Sequence, residues 1–258
     1  MTVPAPEAVN AIIREATEAE ILPRFKNLRA SQIREKKPNQ LVTEADIEAE
    51  KVLARRLTDL LPGAVVGEES VEHAPALMDA LGRPGPVWVI DPVDGTANFA
   101  HGRPRFAVAV ALVVDGETLA GWIHDPVPNR TIVAIKGQGC WRAEGTTRLM
   151  LRVAEEVPLA EMCGSVKKKG KVAANVLHVA RRGSAAHDYL DLVTGRLHFA
   201  HFDRLMPWDH AAGVLMHAEA GGHGRMVDGT PYTPVLHHGA ILLAPGEGSW
   251  NQLRPLVD

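Results

Sequence analysis

The feature that most constrains this chain is an apolar strand that ends in two carboxylates. Residues 87–90 are uninterruptedly apolar, and Asp91 and Asp94 follow them, three positions apart. Two like charges left ionised and unpaired beside a core would cost considerable free energy. A shorter apolar segment, 64–66, is likewise followed closely by acids, at 68–69. Because open sheets bind ligands at strand ends that face a cleft, the acids together indicate a site.

The residues after Asp94 complete this pattern. A hard divalent cation would remove the cost of the clustered charge, and magnesium prefers oxygen ligands while keeping water and substrate phosphate in its shell. Gly95 permits a close backbone approach, and Thr96 offers a hydroxyl. If a helix begins just after this turn, its free amides form a phosphate site. The segment therefore predicts metal-assisted phosphoryl transfer.

Composition excludes several classes of protein. The 258 residues, 46% hydrophobic and 23% charged, suffice for a substantial core in one compact unit. The longest apolar run, 106–114, is too short for a membrane span, which needs roughly twenty residues. A net charge of −3 argues against a nucleic-acid partner. Two cysteines cannot form a disulfide framework and no secretory leader is visible, so we expect a cytoplasmic protein.

Hydrophobic periodicity predicts an α/β (α+β) fold of layered sheets covered by helices. A soft boundary near 150 separates an N-terminal α+β half, 1–150, with the metal and phosphate motifs, from a C-terminal α/β half, 151–258. Helices are predicted over 7–28, from Thr43 to 61, over 171–182, from Ser184 to Gly195, from Pro207 to Ala220 and at the C-terminus. Strands are predicted at 64–66, 87–90, 106–114, 118–123, 131–135, 162–166, 197–202 and 240–244, with a loop or hairpin at 31–40 and a loop at 137–145.

Two further acids, Asp46 and Asp209, lie in the first turns of predicted helices. Acids are common there because they offset the helix dipole and the free amides. Taken alone, Asp46 is better explained in this way, whereas Asp209 fits a structural or a functional role equally well.

Five segments of the chain together resemble the inositol monophosphatase family of magnesium-dependent, lithium-sensitive phosphatases. The segments are 41–46, 67–70, 88–99, 183–186 and 208–213, and they follow one another in the family's order over nearly the whole chain. The resemblance implies a layered α/β/α/β/α sandwich of the sugar-phosphatase type, which is usually a homodimer.

The resemblance also implies a role for individual residues. Two or three Mg²⁺ ions per site would be held by the following ligands: Glu68, Asp91, the carbonyl of Val93, Asp94 and Asp209. Glu68 and Thr96, with Asp46 behind them, would position and deprotonate the water that attacks phosphorus in line, without a phospho-enzyme. The expected phosphate and substrate contacts are Lys36, Asp94, Gly95, Thr96, Ser184, Ala185 and Asp209.

The departures from the family pattern concern the substrate more than the chemistry. The acid often found seven residues before the Trp-Asp aspartate is replaced by Phe202, although Asp203 is adjacent. If Phe202 takes that position, a contact that reads substrate hydroxyls is lost, and inositol phosphate becomes a less secure substrate. His198 replaces another common acid, Gln40 replaces the acid before Leu41, and the basic residue of the preceding loop is Lys36 or Lys37.

The leading functional hypothesis is a Mg²⁺-dependent phosphomonoesterase acting on a small polyol or sugar-type phosphate, resembling inositol 1-phosphate or histidinol phosphate. A bisphosphate nucleotidase and a fructose-1,6-bisphosphatase-like activity are alternatives. An aspartyl-phosphate mechanism is disfavoured, because enzymes that use it have two aspartates two positions apart, whereas Asp91 and Asp94 are three apart.

A metal- and phosphate-binding module without turnover is the non-enzymatic alternative. A histidine metal site, suggested by residues such as His198, His201, His210 and His217, is disfavoured because they form no recognised ligand pattern. The expected partners are a small phosphorylated metabolite and a second copy of the chain, without nucleic acid or membrane.

Overall fold

The computed structural model describes residues 3–37, 40–145 and 147–257. The side chains of Lys37 and Gln40 lie outside this description, so the expectations about them are not taken further. The helices are α1 Pro6–Ala16, α2 Glu44–Leu60, α3 Glu68–His73, α4 Thr96–Ala100, α5 Ala185–Val193, α6 Pro207–Glu219 and α7 Glu247–Val257. The first seven strands are β1 Ile33–Lys37, β2 Gln40–Thr43, β3 Ala64–Gly67, β4 Pro86–Asp94, β5 Ala107–Val114, β6 Glu117–Asp125 and β7 Arg130–Ile135. The remaining strands are β8 Gly139–Glu144, β9 Thr147–Met150, β10 Cys163–Val166, β11 His178–Ala180, β12 Phe199–Phe202, β13 His223–Met226 and β14 Ile241–Ala244.

Two sheets form the framework. Strands β3 to β9 follow one another in a seven-stranded sheet in which β3 and β4 run parallel and the other neighbours are antiparallel. The second sheet has the order β11-β10-β12-β14-β13, and β10 runs parallel to both of its neighbours. Strands β1 and β2 pair as a separate hairpin.

Helices cover both faces of the larger sheet because successive strand residues point to opposite sides. Trp88 and Ile90 of β4 pack against α1 and α2, while Val87 and Val89 face the core that contains α5 and α6. The smaller sheet closes that central core, and α7 packs on its outer face through Trp250. This arrangement confirms the α/β/α/β/α sandwich.

Close packing fixes the position of α6, which carries Asp209. A Cβ atom at Gly121 in β6 would lie 2.8 Å from the Cα of Ala212 in α6. Only glycine therefore allows the helix to approach the sheet this closely. Pro207 begins α6, as the sequence predicts.

Several predicted elements differ from the structure. The helix predicted over 171–182 is wrong: this stretch forms a short 3-10 turn, Val172–Ala174, and the edge strand β11. The loop predicted at 137–145 is also wrong, because β8 occupies 139–144 after a glycine turn. The first helix ends at Ala16 and continues only as a π turn and a 3-10 turn up to Arg24.

The larger sheet ends at Met150 and the smaller begins at Cys163, while the division into halves at 150 stays a prediction. Cys140 and Cys163 are free thiols. Within the described residues, no helix combines the length and apolarity that crossing a membrane requires.

Candidate active site

Three aspartates from two layers converge at the end of β4. Asp91 and Asp94 lie on β4, where its pairing with β5 becomes irregular, and Asp209 lies in the first turn of α6. One carboxylate oxygen from each lies within 4.8 Å of the others. Asp91 and Asp94 are buried, and Asp209 is partly exposed. The strand and the helix thus bring together acids that are far apart in the sequence.

Asp94 is held by the beginning of α5. The Ser184 hydroxyl and the Ala186 amide donate to its Oδ2, the latter at 2.8 Å, and the Ala185 amide lies 3.3 Å from Oδ1. Ser184 also accepts the His187 amide, which makes it the predicted N-cap of α5. Ser184 and Ala185 therefore contact Asp94 directly, and their predicted contact with substrate stays a prediction.

The turn after Asp94 requires glycine. Gly95 has a φ of +90°, and a Cβ there would lie 2.7 Å from the carbonyl oxygen of Arg105. Helix α4 begins at Thr96, whose hydroxyl lies 3.1 Å from Asp46 Oδ1 and 3.0 Å from the Val93 carbonyl oxygen. Asp46 is fully buried and also accepts the Thr43 amide at 2.8 Å, so it stabilises the start of α2 and reaches Thr96 as well.

Glu68 begins α3, and Glu50 of α2 supports that helix. The Glu50 carboxylate accepts the amides of Glu69 and Ser70, each at 2.8 Å, and the Ser70 hydroxyl. A Cβ at Gly67 would collide with the same carboxylate. Glu50 was not expected from the sequence, because it lies mid-helix and outside the recognised segments.

Lys36 of β1 closes one side of this acidic group. Its Nζ donates to Glu69 Oε1 at 2.6 Å and lies 3.6 Å from Glu68 Oε1. Although burial acts in the opposite direction, these two glutamates raise the pKa of Lys36. The lysine thus remains charged beside the site.

Burial dominates the electrostatics of these acids. Burial, together with repulsion from the neighbouring carboxylates, raises the pKa of Asp91 and of Asp209 well above the ordinary aspartate value. Burial likewise raises the pKa of Asp94, against the hydrogen bonds from α5. The pKa of Asp46 rises to about 6 and that of Glu68 to about 7, and burial is the largest cause of both shifts.

The oxygen atoms that converge here are suitable ligands for a hard divalent cation. The converging atoms are carboxylate oxygens, the ligands that such ions prefer, and a bound cation would offset the repulsion that raises the pKa values. The nearby histidines are engaged elsewhere: His210 lies 2.9 Å from the Tyr189 hydroxyl and 2.7 Å from the Arg204 carbonyl oxygen, and His198 accepts the Cys163 amide.

Two adjoining cavities lie over the acids. The smaller, about 190 Å³, is lined by Glu68, Asp91, Asp94 and the turn at 95–97. The larger, about 400 Å³, shares Gly183, Arg204 and Asp209 with it. Two spaces of different size thus meet at Asp209.

The larger cavity contains both residues at the ambiguous position. Phe202 stacks on Tyr189 with ring centroids 5.4 Å apart, and Asp203 accepts Lys167 Nζ at 2.9 and 3.1 Å. Two further residues that line this cavity, Asp188 and Arg204, were not predicted from the sequence. Asp188 is buried, and its Oδ1 has no hydrogen-bond partner among the described residues. No local pattern marks either residue, because nearly all of α5 is buried and Arg204 lies outside the recognised segments.

Known proteins are similar to this chain in sequence and in fold. Inositol-1-monophosphatase of Bacillus subtilis is 33% identical over 214 residues, 79% of each chain. A Thermotoga maritima fructose-1,6-bisphosphatase/inositol-1-monophosphatase is 34% identical over 190 residues, 70% of each chain. The structure of the extragenic suppressor protein suhB from Bartonella henselae superposes with a TM-score of 0.80 at 28% identity, covering 97% of this chain and 98% of that one.

The five-layer fold, the carboxylate cluster and these likenesses define a class, the phosphoric monoester hydrolases, to which this chain belongs. Within that class, the chain is a member of the inositol monophosphatase family, whose family model matches residues 6–254. The resemblance seen in five short segments is thereby confirmed over almost the whole chain.

Proposed function

We propose that this phosphatase is Mg²⁺-dependent and hydrolyses small polyol or sugar-type phosphates, resembling inositol 1-phosphate or histidinol phosphate. The observation that carries the proposal is the convergence of Asp91, Asp94 and Asp209 within 4.8 Å beside the Gly95 turn. Such buried acids are suited to a cation, and the glycine turn leaves room for a phosphate.

In this proposal, two or three Mg²⁺ ions are held by Glu68, Asp91, the Val93 carbonyl, Asp94 and Asp209. Mg²⁺ supplies a positive charge that lowers the pKa of water and offsets the charge of the phosphate. The amides of Gly95 and Thr96 orient the phosphate. Ser184 and Ala185 keep Asp94 in position through the contacts described above, and Lys36 adds a positive charge at the edge of the site.

Proton transfer is assigned to Glu68 and to the pair formed by Thr96 and Asp46. The Thr96 hydroxyl donates to Asp46, which leaves its oxygen able to accept a proton from the attacking water. Water attacks phosphorus in line and gives its proton to Glu68, or to Thr96 as the Thr96 proton passes to Asp46. The bond to the alcohol oxygen breaks, and a proton from solvent completes the leaving alcohol. No phospho-enzyme forms, since no side chain acts as the nucleophile.

The alcohol half of the substrate occupies the larger cavity. The free Oδ1 of Asp188 and the carboxylate of Asp203 provide acceptors for hydroxyl groups there. Hydroxyl recognition therefore does not depend on an acid at position 202, where Phe202 packs on Tyr189.

The test is phosphate release from inositol, histidinol, sugar and nucleotide phosphates during a Mg²⁺ titration. We expect magnesium-dependent release that falls about 100-fold or more in Asp91→Asn, because a metal ligand is removed. Asp79→Asn is the matched control. Asp79 is exposed, and it forms a surface ion pair with Arg83. Full activity of Asp91→Asn, or release that ignores Mg²⁺, contradicts the proposal.

A second candidate is a fructose-1,6-bisphosphatase-like activity. The Thermotoga maritima relative carries both activities in its name. The larger cavity also contains Lys167, Arg181 and Arg204, cations that suit a second phosphate. In the same panel, a kcat/KM for fructose 1,6-bisphosphate above that for inositol 1-phosphate would favour this activity.

We further propose a lithium-sensitive, cytoplasmic homodimer. Family membership supports the first and last properties. The two free cysteines, one of them buried with its pKa raised to about 12 mainly by burial, suit a reducing compartment. Inhibition by Li⁺, sedimentation equilibrium and cell fractionation test the three properties separately.

A further inference from the structure

A third cavity, of about 300 Å³, lies on another face of α5 and shares no lining residue with the two active-site cavities. One wall is formed by His187, Leu190 and Asp191 of α5 and by Thr194, which follows the helix. Strands β6, β7 and β8 form the opposite side. We call it the arginine pocket, after four of its lining residues: Arg105, Arg130, Arg142 and Arg196.

The charges of the arginine pocket favour an anion. Its lining contains four arginines and two aspartates, Asp125 and Asp191. Asp191 is already surrounded, because Arg182, outside the lining, pairs with it, and Arg196 lies 3.5 Å away. Guanidinium groups carry five donors each, so these pairs leave donors available for a ligand. The lining arginines are between a third and two-thirds exposed, which places them within reach of a small molecule.

The base of the pocket offers an acceptor. Asp125 is buried, and although Arg130 lies 3.2 Å from its Oδ2, its Oδ1 has no hydrogen-bond partner within the described parts of the chain. The nearest cationic candidate, His187 Nε2, is 3.9 Å away and lies closer, at 3.2 Å, to the Phe106 carbonyl oxygen, to which it can donate. A buried carboxylate oxygen without a donor is costly, so a ligand with a hydroxyl group would be stabilised here.

We propose that the arginine pocket is a second binding site, separate from the phosphatase reaction, for a small sugar or polyol phosphate. The phosphate pairs with the arginines at the mouth, and a hydroxyl donates to Asp125 Oδ1. Phosphate suits the site because it presents several oxygens to several guanidinium forks at once. The volume matches a monosaccharide phosphate, at the lower end of ligand cavities.

The test is calorimetric titration of the full chain with glucose 6-phosphate and with inorganic phosphate, in the presence of a chelator. The chelator removes the metal that would hold phosphate beside the active-site carboxylates, and an Arg204 variant controls for binding in the larger active-site cavity, which also contains cations. We expect glucose 6-phosphate to bind more tightly than inorganic phosphate. The double variant Arg130→Gln/Arg196→Gln should weaken both by about tenfold or more, since charged hydrogen bonds are lost.

Asp125→Asn separates the two parts of the site. It should weaken glucose 6-phosphate by about tenfold relative to inorganic phosphate, because the hydroxyl contact is lost, while removal of the negative charge that pairs with Arg130 affects both ligands alike. Arg83→Gln is the matched surface control and Arg204→Gln the active-site control, and neither should change the binding. Thermal unfolding of each variant shows that it is folded, and phosphatase activity shows the same for the variants other than Arg204→Gln.

Two results overturn the proposal. The first is the absence of binding in the chelated protein; if the double variant then also loses self-association in sedimentation, the pocket is a contact between subunits. The second is binding that Arg204→Gln abolishes and the double variant retains, which assigns it to the active site.

Discussion

Arg204 shows how a single charge can tune a carboxylate site. It lines both active-site cavities, and its positive charge lowers the pKa values of Glu68 and Asp209 against the larger effect of burial. It therefore helps keep these acids ionised and ready for a cation, while also facing the space assigned to the substrate.

Replacing Arg204 by Gln should affect both pH dependence and substrate binding. The pKa values of the acids rise further, so the acid limb of the kcat/KM profile moves to higher pH. KM rises about tenfold because a cation beside the phosphate is lost. Initial rates from pH 5 to 9 test both effects, and Arg204→Lys, which keeps the charge, should retain the wild-type acid limb. An unchanged limb and KM in Arg204→Gln would show that this charge does not act on the site.

The residues of the candidate site were predictable to different degrees for a physical reason. Asp91 and Asp94 follow an apolar run within one short segment, so their burial and their proximity can be predicted from neighbouring residues alone. Arg204 and Asp188 depend on how the smaller sheet and α5 meet the rest of the chain. Contacts over such separations leave no periodic signal in the sequence.

At the scale of elements, α2 supports α3 through Glu50. This carboxylate accepts two amides and one hydroxyl at the start of α3, immediately beside Glu68. Glu50→Gln replaces half of the acceptor with a donor, so we expect a loss of about 2 kcal/mol in the free energy of unfolding. We also expect a lower kcat/KM, since Glu68 begins the displaced helix. Urea unfolding and initial rates measure the two effects.

Glu48→Gln is the matched control for that prediction. Glu48 lies on the same helix, is partly exposed and pairs with Lys51 one turn away. Its loss should cost less than about 0.5 kcal/mol and leave the rate unchanged. If the two variants behave alike, Glu50 does not support α3 in the way that its hydrogen bonds suggest.

Elements with a strong local end signal were predicted well. Thr43, Ser184 and Pro207 mark helix starts that the structure confirms. The errors fall where the local signal is ambiguous. In 171–182, alanine and valine spacing suits a helix, but three residues pair in parallel with β10 instead. At 139–144, glycine and polar residues hide a strand whose buried members are only Cys140 and Trp141.

At the scale of the whole molecule, the acids of the site come from two packed layers, the larger sheet and the helix layer that contains α6. The charge of the site therefore affects the stability of the folded chain. Asp91 and Asp94 belong to the larger sheet, and Asp209 belongs to the helix packed between the sheets. Repulsion among them opposes this packing when they are ionised. A cation that binds only the folded chain adds stability in proportion to the logarithm of its concentration.

The pH dependence of unfolding should reveal this coupling. Three buried histidines, His124, His210 and His217, have pKa values lowered to between about 3 and about 4, chiefly by burial. The unfolded chain binds more protons at these sites below pH ~6.5, so stability rises with pH up to that point and then levels off. The acids act in the opposite direction: burial raises the pKa of Glu68 to about 7 and that of Glu69 to about 8. The folded chain holds more protons there, so metal-free stability falls as pH rises towards 8.

Above pH 6.5 only the effect of the acids remains, so the metal-free protein should lose on the order of 2 kcal/mol between pH 6.5 and pH 8.5, which lowers Tm by several degrees. Excess Mg²⁺ should remove this loss, because binding favours the deprotonated acids, and its stabilising effect should shrink at acid pH, where the ligands are protonated. Calorimetric scans between pH 5 and 8.5, with chelator or with Mg²⁺, test this. In Asp91→Asn the alkaline loss should be smaller even with chelator, since one repelling charge is gone. Parallel curves with and without Mg²⁺ would mean that the carboxylate cluster and cation binding are not coupled to folding.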